Sequence, residues 1–373
     1  MAFLLLTIVI VAGGVAGLLT VERVRQGRIL ESARAKRSLQ LAESTLDQAA
    51  VLVNAGTLGG NGSIDWSNDG IDNDGDGTVD EADEQVSATL LSWASDGIDN
   101  DGDGKIDGAD STGPGSEAII RVRSSAAIGG VTRALTGWLQ KSALTLPDPN
   151  ATVYLDDPNA DVTFQGNAFR VDGNDRNLNG TPGPASPLYG MSINGNPATV
   201  ISQLSATQLD NVTGQGGWPS VTSYSPPSPT LIEDIISALS PRASVVFNNY
   251  GGVYTGSLGN AATGNFVITK SNGNLSMGGG SGGAGILMVD GNLTISGGWD
   301  YAGYIFVTGR VVMNGGAGTR RLRGTMFIGG DVLQGSTVML WVNGTVDLLY
   351  SSQALDLVRQ TFGTYAVSAV TEP

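Results

Sequence analysis

The string DGIDNDGDG occurs twice, at Asp69–Gly77 and at Asp96–Gly104. Each copy runs on into the pattern DxDxDGxxDxxD. The first loop sets Asp72, Asp74, Asp76, Asp80 and Asp83 at positions 1, 3, 5, 9 and 12, with Gly77 at position 6. The second sets Asp99, Asp101, Asp103, Asp107 and Asp110 at the same positions, with Gly104 at position 6. Alternate aspartates aim carboxylates at one centre, and Ca2+ takes six to eight hard oxygens at roughly 2.3–2.6 Å. The glycine permits the sharp turn, and the position-7 backbone carbonyl would come from Thr78 and Lys105. Position 12 is Asp in place of the usual Glu, so bidentate closure is weaker. The competing reading is an acidic, solvated loop. Two full-length matches favour two calcium sites. Without metal, five aspartates per loop repel one another and the segment should lack order. Sites of extracellular grade, with affinities of about 10⁻⁴–10⁻³ M, stay empty at cytosolic calcium levels, which argues for an outward-facing location.

A weaker third copy sets Asp175, Asn177, Asn179 and Gly180 at positions 1, 3, 5 and 6. Gly183 and Ser186 at positions 9 and 12 are poor ligands, and an Asx-rich turn before Pro-Gly-Pro is the plainer reading. Further chemistry is sparse. The chain has no histidine and no cysteine, which removes imidazole bases, thiolate nucleophiles, disulfides and Cys/His zinc sites. Arg310, Arg320, Arg321 and Arg323 lie near Asp290, Asp300 and Asp331 in the sequence, but no spacing groups them into a catalytic pair. Turn charges that keep the surface soluble are the simpler account, and the chain reads as a non-enzyme.

The elements that carry these residues follow from composition and period. The chain has 373 residues, 55 of them glycine, and a net charge of −15. Such a balance disfavours a nucleic-acid partner. Between Asp65 and Asp110 stand 15 acids and one base, so nearly the whole excess is local. Four blocks result: residues 1–54, a helix; 55–112, the acidic calcium-loop insert; 113–245, a proline-punctuated mixed β head; and 246–373, a glycine-rich β region. The fold class expected is α+β, a long N-terminal helix with a mostly β head.

Met1 to Val21 carries no charge, and such a helix rises about 32 Å, enough to cross a bilayer core. Gly13 and Gly17 give a GxxxG face for close packing. Ala35, Leu39, Ala42, Leu46, Ala49 and Val53 step by 4, 3, 4, 3, 4, one face of a helix that Asn54-Ala55-Gly56 should end. A cleaved signal peptide and an ordinary single-pass anchor are the alternatives. Basic residues follow the span and none precedes it, so an anchor would leave the calcium loops in the cytoplasm. The conflict disappears if a short basic leader once preceded Met1.

Downstream, Gln85–Ala94 is expected as a short helix between the acidic loops. Glu117–Ser125 and Val131–Lys141 should pair as a hairpin about Gly129-Gly130. Thr230 and Glu233 have capping-box spacing for a short helix. SNGNLSM, VDGNLTIS, VTGRVVMN, IGGDVLQG and VNGTVDLL align on Gly273, Gly291, Gly309, Gly330 and Gly344, spaced 18, 18, 21 and 14. Two strands per repeat suggest a parallel β-solenoid, with an antiparallel meander as the rival and Ser351–Gln360 as a closing helix.

The apolar helix with an amphipathic continuation, and the stretch LQLAESTLDQAAVLV (Leu39–Val53) in particular, resembles the type IV pilins and PilX-type pilus assembly proteins over about 50 residues. The acidic loops resemble the EF-hand-like repeats of dockerins and thrombospondin type 3 modules. The pilin resemblance implies a subunit of an extracellular, pilus-like filament with a processed, methylated N-terminus. Such a subunit is anchored in the inner membrane before assembly and packs against other pilin subunits. The filament contacts would come from Met1, Leu5, Gly13, Gly17, Leu39 and Leu46. Pilins usually carry glutamate at the fifth mature position, and Leu5 departs from that, which fits a minor or tip subunit acting as an adhesin or assembly initiator. A membrane-anchored, polysaccharide-acting enzyme is the remote alternative.

Overall fold

The computed structural model describes residues 2–55, 63–65, 78–79, 84–90, 119–314, 318, 320–329 and 338–372, with side chains in the first helix from Thr20 onward. The chain divides into two compact units, Met1–Ala143 with Gly363–Pro373, and Leu144–Phe362. This departs from the four sequence blocks, because the proline-punctuated stretch is shared between both units.

In the first unit, α1 runs from Ala2 to Asn54. Its second half lies on an antiparallel sheet in the order β1 (Ser63–Asp65), β2 (Glu84–Leu90), β3 (Ile119–Ile128), β4 (Val131–Ser142) and β23 (Thr364–Thr371). The 4-3-4-3 stripe is what meets the sheet: Ala42, Leu46, Ala49 and Val53 are buried with Val86, Ala88, Leu90, Ile120, Val122, Leu135 and Leu139. Gly129 and Gly130 take φ of +53° and +80°, the left-handed pair that a two-residue hairpin needs. The hairpin forms as expected, with Ile128 opposite Val131.

Of the short helix expected at Gln85–Ala94, the residues up to Leu90 are instead in strand β2, and the rest lie outside the described residues. Val86, Ala88 and Leu90 alternate inward with period two and pair with Ala126, Ser124 and Val122 of β3. Burial of that face outweighs a weak local helix preference. The C-terminal strand β23 belongs to this sheet, not to the glycine-rich repeats, and carries a bulge between Val367 and Ala369.

The second unit contains β5 (Ala151–Leu155), β6 (Asp161–Gln165), β7 (Phe169–Asp172), β8 (Tyr189–Ile193), β9 (Val212–Thr213), β10 (Val221–Ser223), β11 (Val245–Asn248) and β12 (Val253–Tyr254). It continues with β13 (Ser257–Leu258), β14 (Val267–Asn272), β15 (Leu275–Met277), β16 (Ser281–Asp290), β17 (Leu293–Ser296), β18 (Trp299–Val307), β19 (Val311–Asn314), β20 (Arg320–Ile328), β21 (Val338–Asn343) and β22 (Val346–Leu349). Among the described residues they are accompanied by the α-helices α2 (Ala198–Ile201), α3 (Ala206–Leu209), α4 (Leu231–Leu239) and α5 (Ser352–Thr361).

One sheet runs β10-β8-β5-β20-β18-β16-β14-β11 and a second runs β12-β15-β17-β19-β21-β6. The named strands of both pair in parallel, so hairpin connections are not what joins the repeats. Ile286 lies opposite Ile268 and Tyr304 opposite Ile286, an offset of 18 residues at each step, then Thr325 opposite Tyr304, an offset of 21. The proline-punctuated segment joins the same sheets, since β5 pairs with β20, β6 with β21 and β7 with β22.

Between the sheets lies one apolar core, including Leu287, Val289, Ile295, Ile305, Val307 and Met313. On the outer face of the first sheet, α4 and α5 bury Ile232, Ile236, Leu355 and Val358 against Ile286, Tyr304 and Phe306. The capping box expected at Thr230 does not form: the Thr230 hydroxyl donates to the Asp234 carboxylate at 3.1 Å, and α4 has no side-chain cap bond.

Gly285, Gly303 and Gly324 stand in one row across three neighbouring strands with φ between +128° and +147°. A Cβ at Gly303 would lie 2.1 Å from the Gly285 carbonyl oxygen. At each position of the row glycine permits a positive φ and a close approach of the neighbouring backbone that a side chain would block.

Candidate functional site

The two strong calcium loops lie outside the described residues: Asp72, Asp74, Asp76, Asp80 and Asp83 of the first, and Asp99, Asp101, Asp103, Lys105, Asp107 and Asp110 of the second. Thr78 is described and exposed. Among the described residues, no three acidic side chains sit together closely enough to hold a metal.

The third loop is fully described. Asp175 is buried. Its Oδ1 accepts the Ser352 backbone N–H at 2.8 Å, and its Oδ2 accepts the Ala185 N–H and the Ser352 hydroxyl, both at 2.8 Å. Asn179 Oδ1 accepts from the Thr181 N–H and hydroxyl, while Asn177 turns its amide nitrogen to Thr181 and Pro182. Each side chain is taken up by protein partners, Asp175 and Asn179 as acceptors and Asn177 as a donor, and the three share no centre. Gly183 makes the turn possible, because a Cβ there would fall 2.1 Å from Asp175 Oδ2. Beside it, Asp172 is buried and accepts from Asn174, Thr213 and Arg176. Burial alone would raise its pKa, but these donors outweigh that effect and hold the carboxyl below its usual range. Both aspartates are structural hubs: Asp175 serves the turn instead of a metal, and Asp172 was not singled out by its sequence spacing.

The side chains of Met1, Leu5, Gly13 and Gly17 lie outside the described set. Leu39 and Leu46, expected to pack in a filament, are used within the chain: Leu46 is 1% exposed and Leu39 packs partly against the same cluster. The helix is tied down there by three further contacts. The Ser124 hydroxyl donates to the Ala42 carbonyl at 2.7 Å. Asn54 donates to the Tyr365 carbonyl at 2.9 Å and accepts its N–H at 2.7 Å. One turn or more before the sheet begins the situation reverses, and Val21, Val24, Ile29 and Leu30 are 52–66% exposed, with Arg25 and Arg28 among them. Among the described residues, no helix is long and apolar enough to cross a membrane.

The second unit brings together charges that are far apart in sequence. Asp300, Arg321, Asp347 and Arg170 stand opposite one another on β18, β20, β22 and β7. Their contacts are Asp300–Arg321 at 4.0 Å, Arg321–Asp347 at 3.8 Å and Arg170–Asp347 at 3.3 Å, and Arg323 reaches Asp300 at 2.8 Å. The sequence reading left Arg321, Arg323 and Asp300 ungrouped and passed over Asp347 and Arg170. The signal was apolar-polar alternation in adjacent repeats, legible only once the register was known. Arg320 points the other way, fully buried, and donates to the Thr345 carbonyl at 3.0 Å. Asp290 is exposed at the end of β16, Arg310 is exposed just before β19, and Asp331 is outside the described residues.

The charge row flanks a cleft of about 920 Å³ lined by Thr255, Ser257, Asn260, Asp300, Arg321 and Arg323, with several glycines between them. A guanidinium stands between the two carboxylates, so they form no proton-sharing pair of the kind acid/base hydrolysis uses. The cleft offers guanidinium donors, hydroxyls and exposed backbone instead.

No protein-family model matches the chain, and no curated protein matches it. Among solved structures, the competence-associated pilin ComZ from Thermus thermophilus is similar at 11% identity, over 91% of this chain and 97% of that one, with a TM-score of 0.20. Similarity at that level fixes no shared fold.

Proposed function

We propose that the chain is a structural subunit of a type IV pilus-like extracellular filament. The observation that carries this is the division of labour along α1. From Ala42 to Val53 one stripe of the helix is buried on its own sheet, whereas Val21, Val24, Ile29 and Leu30 are exposed among the described residues. Exposed apolar side chains in such a row call for a partner. Together with the uncharged Met1–Val21 span, they fit a helix held in the inner membrane before assembly and packed among other pilin subunits afterwards. The parallel ladders with an 18-residue offset support a short β-solenoid in the second unit. The DxDxDGxxDxxD repeats support two Ca2+ ions that set the acidic insert. The arginine between Asp300 and Asp347 and the absence of histidine support a non-catalytic role.

Quantitative mass spectrometry of fibres sheared from the cell surface tests this reading. Recovery in the fibres is the expected result, and its relative amount separates a main from a minor subunit. Presence only in the membrane fraction would reduce α1 to an anchor. Calcium is tested separately: chelation should lower the melting temperature of the purified chain, and an unchanged melting curve would remove the metal from the proposal.

The cleft beside Asp300, Arg321 and Arg323 favours a second role as a minor or tip adhesin. Binding to a glycan array that Arg321→Ser abolishes would support it; no binding across the array would count against it.

A further inference from the structure

The two ends of the parallel coil in the second unit are finished differently. At the β6 end, side-chain amides satisfy the outer strand. Gln203 accepts the Val162 N–H at 2.6 Å and donates to the Ala160 carbonyl at 3.0 Å. Gln208 donates to the Phe164 carbonyl at 2.7 Å. The edge strand β10 is bracketed by Pro219 and Pro226. These are the usual guards against an added strand.

The opposite end, β11 and β12, has none of them. Val245 to Tyr254 reads VVFNNYGGVY, with no charge and no proline. Among the described residues β11 pairs with β14 and with no second strand. Asn249 donates its N–H to the Asn272 carbonyl, so the alternation of a parallel ladder turns the N–H and C=O of Val246 and Asn248 away from β14. Val246 and Val253 are 48% and 54% exposed. Phe247, Tyr250 and Tyr254 cluster at this end, with ring centroids 5.1–6.4 Å apart.

We infer that this open coil end is a self-association surface, on which a second copy of the chain lays its own β11 antiparallel across a two-fold axis. Three observations select that occupant. Head-to-tail stacking would need the far end of the coil, which Gln203 and Gln208 already cover, so a second copy must present the same edge. The patch is uncharged in a protein of net charge −15, so two copies meet there without opposed like charges at the contact. Strand edge and aromatic cluster are both self-complementary: main-chain bonds join the edges and the rings add apolar area. Val245–Tyr254 offers ten residues, fewer than the roughly 20–30 a side of a stable interface, so the pair is weak and reversible. The inference stands on the second unit alone, and it would join two heads whether or not the chain builds a filament.

The absence of cysteine makes the test direct. Val246→Cys and Asn248→Cys, each in the full detergent-solubilised chain, place one thiol at the proposed axis. Mild oxidation should give a disulfide-linked dimer for one or both, well above Ser202→Cys at the covered end. Adding Val246→Lys to Asn248→Cys should abolish the dimer while leaving the melting temperature unchanged. Cross-linking no greater than at Ser202→Cys, or cross-linking that survives Val246→Lys, would overturn the inference. Because these readouts concern only the second unit, their failure leaves the fibre-composition experiment untouched.

Discussion

Leu46→Ala is the sharpest perturbation of the helix-on-sheet unit. Leu46 is 1% exposed, and its methyl groups lie 3.1 Å from where a Cβ on Gly137 would stand. Removing three carbons forfeits about 2.4 kcal/mol of transfer energy at about 0.8 kcal/mol per buried methylene. A cavity term adds to this. Gly137 has no side chain to move into the void, and β4 is held between β3 and β23, so the sheet cannot close over it. The total should approach about 4 kcal/mol, toward the upper part of the range for buried leucines. Native-state hydrogen exchange on the full chain reads this locally. Amides of β3 and β4 should lose about a thousandfold in protection, since each 1.4 kcal/mol is tenfold. Amides of β16 and β18 in the other unit should not change. Leu30→Ala, on the exposed stretch of the same helix, should stay within about 0.5 kcal/mol. A loss below tenfold for Leu46→Ala would refute the reasoning, and would return Leu46 to the residues available for another subunit.

Three further outcomes are expected. Asn54→Ala removes both bonds to Tyr365, at a cost of about 1–3 kcal/mol, and should speed exchange of the β23 amides selectively; unchanged β23 protection would show that the helix end is not what anchors that strand. Gly303→Ala forces a side chain onto a φ of +131° and against the Gly285 carbonyl, costing about 3 kcal/mol or more. Gly298→Ala, where nothing lies within 4 Å, should be close to neutral, and equal melting curves for the two variants would count against a need for glycine in the row. The Asp172 carboxyl titrates below its ordinary value, so its stabilising effect is complete above the unfolded-state pKa of about 3.9 and lost as pH falls through the lower folded value. Asp172→Asn should therefore narrow the gap between the urea midpoints at neutral pH and at acid pH; a gap as wide as in the parent chain would show that Asp172 is not linked to acid unfolding.

Local signals proved legible where one segment decides its own structure. The Ala35–Val53 stripe, the stop at Asn54, the hairpin at Gly129-Gly130 and the helix after Ser351 all depend on neighbours within a few residues, although that helix packs on the face of β18 and β20 instead of closing an end of the repeats. The DxDxDGxxDxxD pattern is likewise written along the chain, and the calcium reading it carries lies outside the described residues. Parallel pairing was only half legible. Glycines spaced by 18 showed that something repeats, but alternating strands with glycine turns serve a hairpin as well as a coil.

Tertiary structure alone decided the remaining points, and the reason is the same in each. Gln85–Leu90 became a strand because β3 offered a face for Val86, Ala88 and Leu90. The last strand returned to the first unit because β4 had a free edge and Asn54 could bracket Tyr365. Asp300, Arg321, Asp347 and Arg170 span 178 residues of chain yet form one row. Asp175 is a hub because Ser352 arrives from across the fold. A side chain's local context sets its period and its turn, whereas its partner is set by which edges and faces remain open after every other segment has found its place.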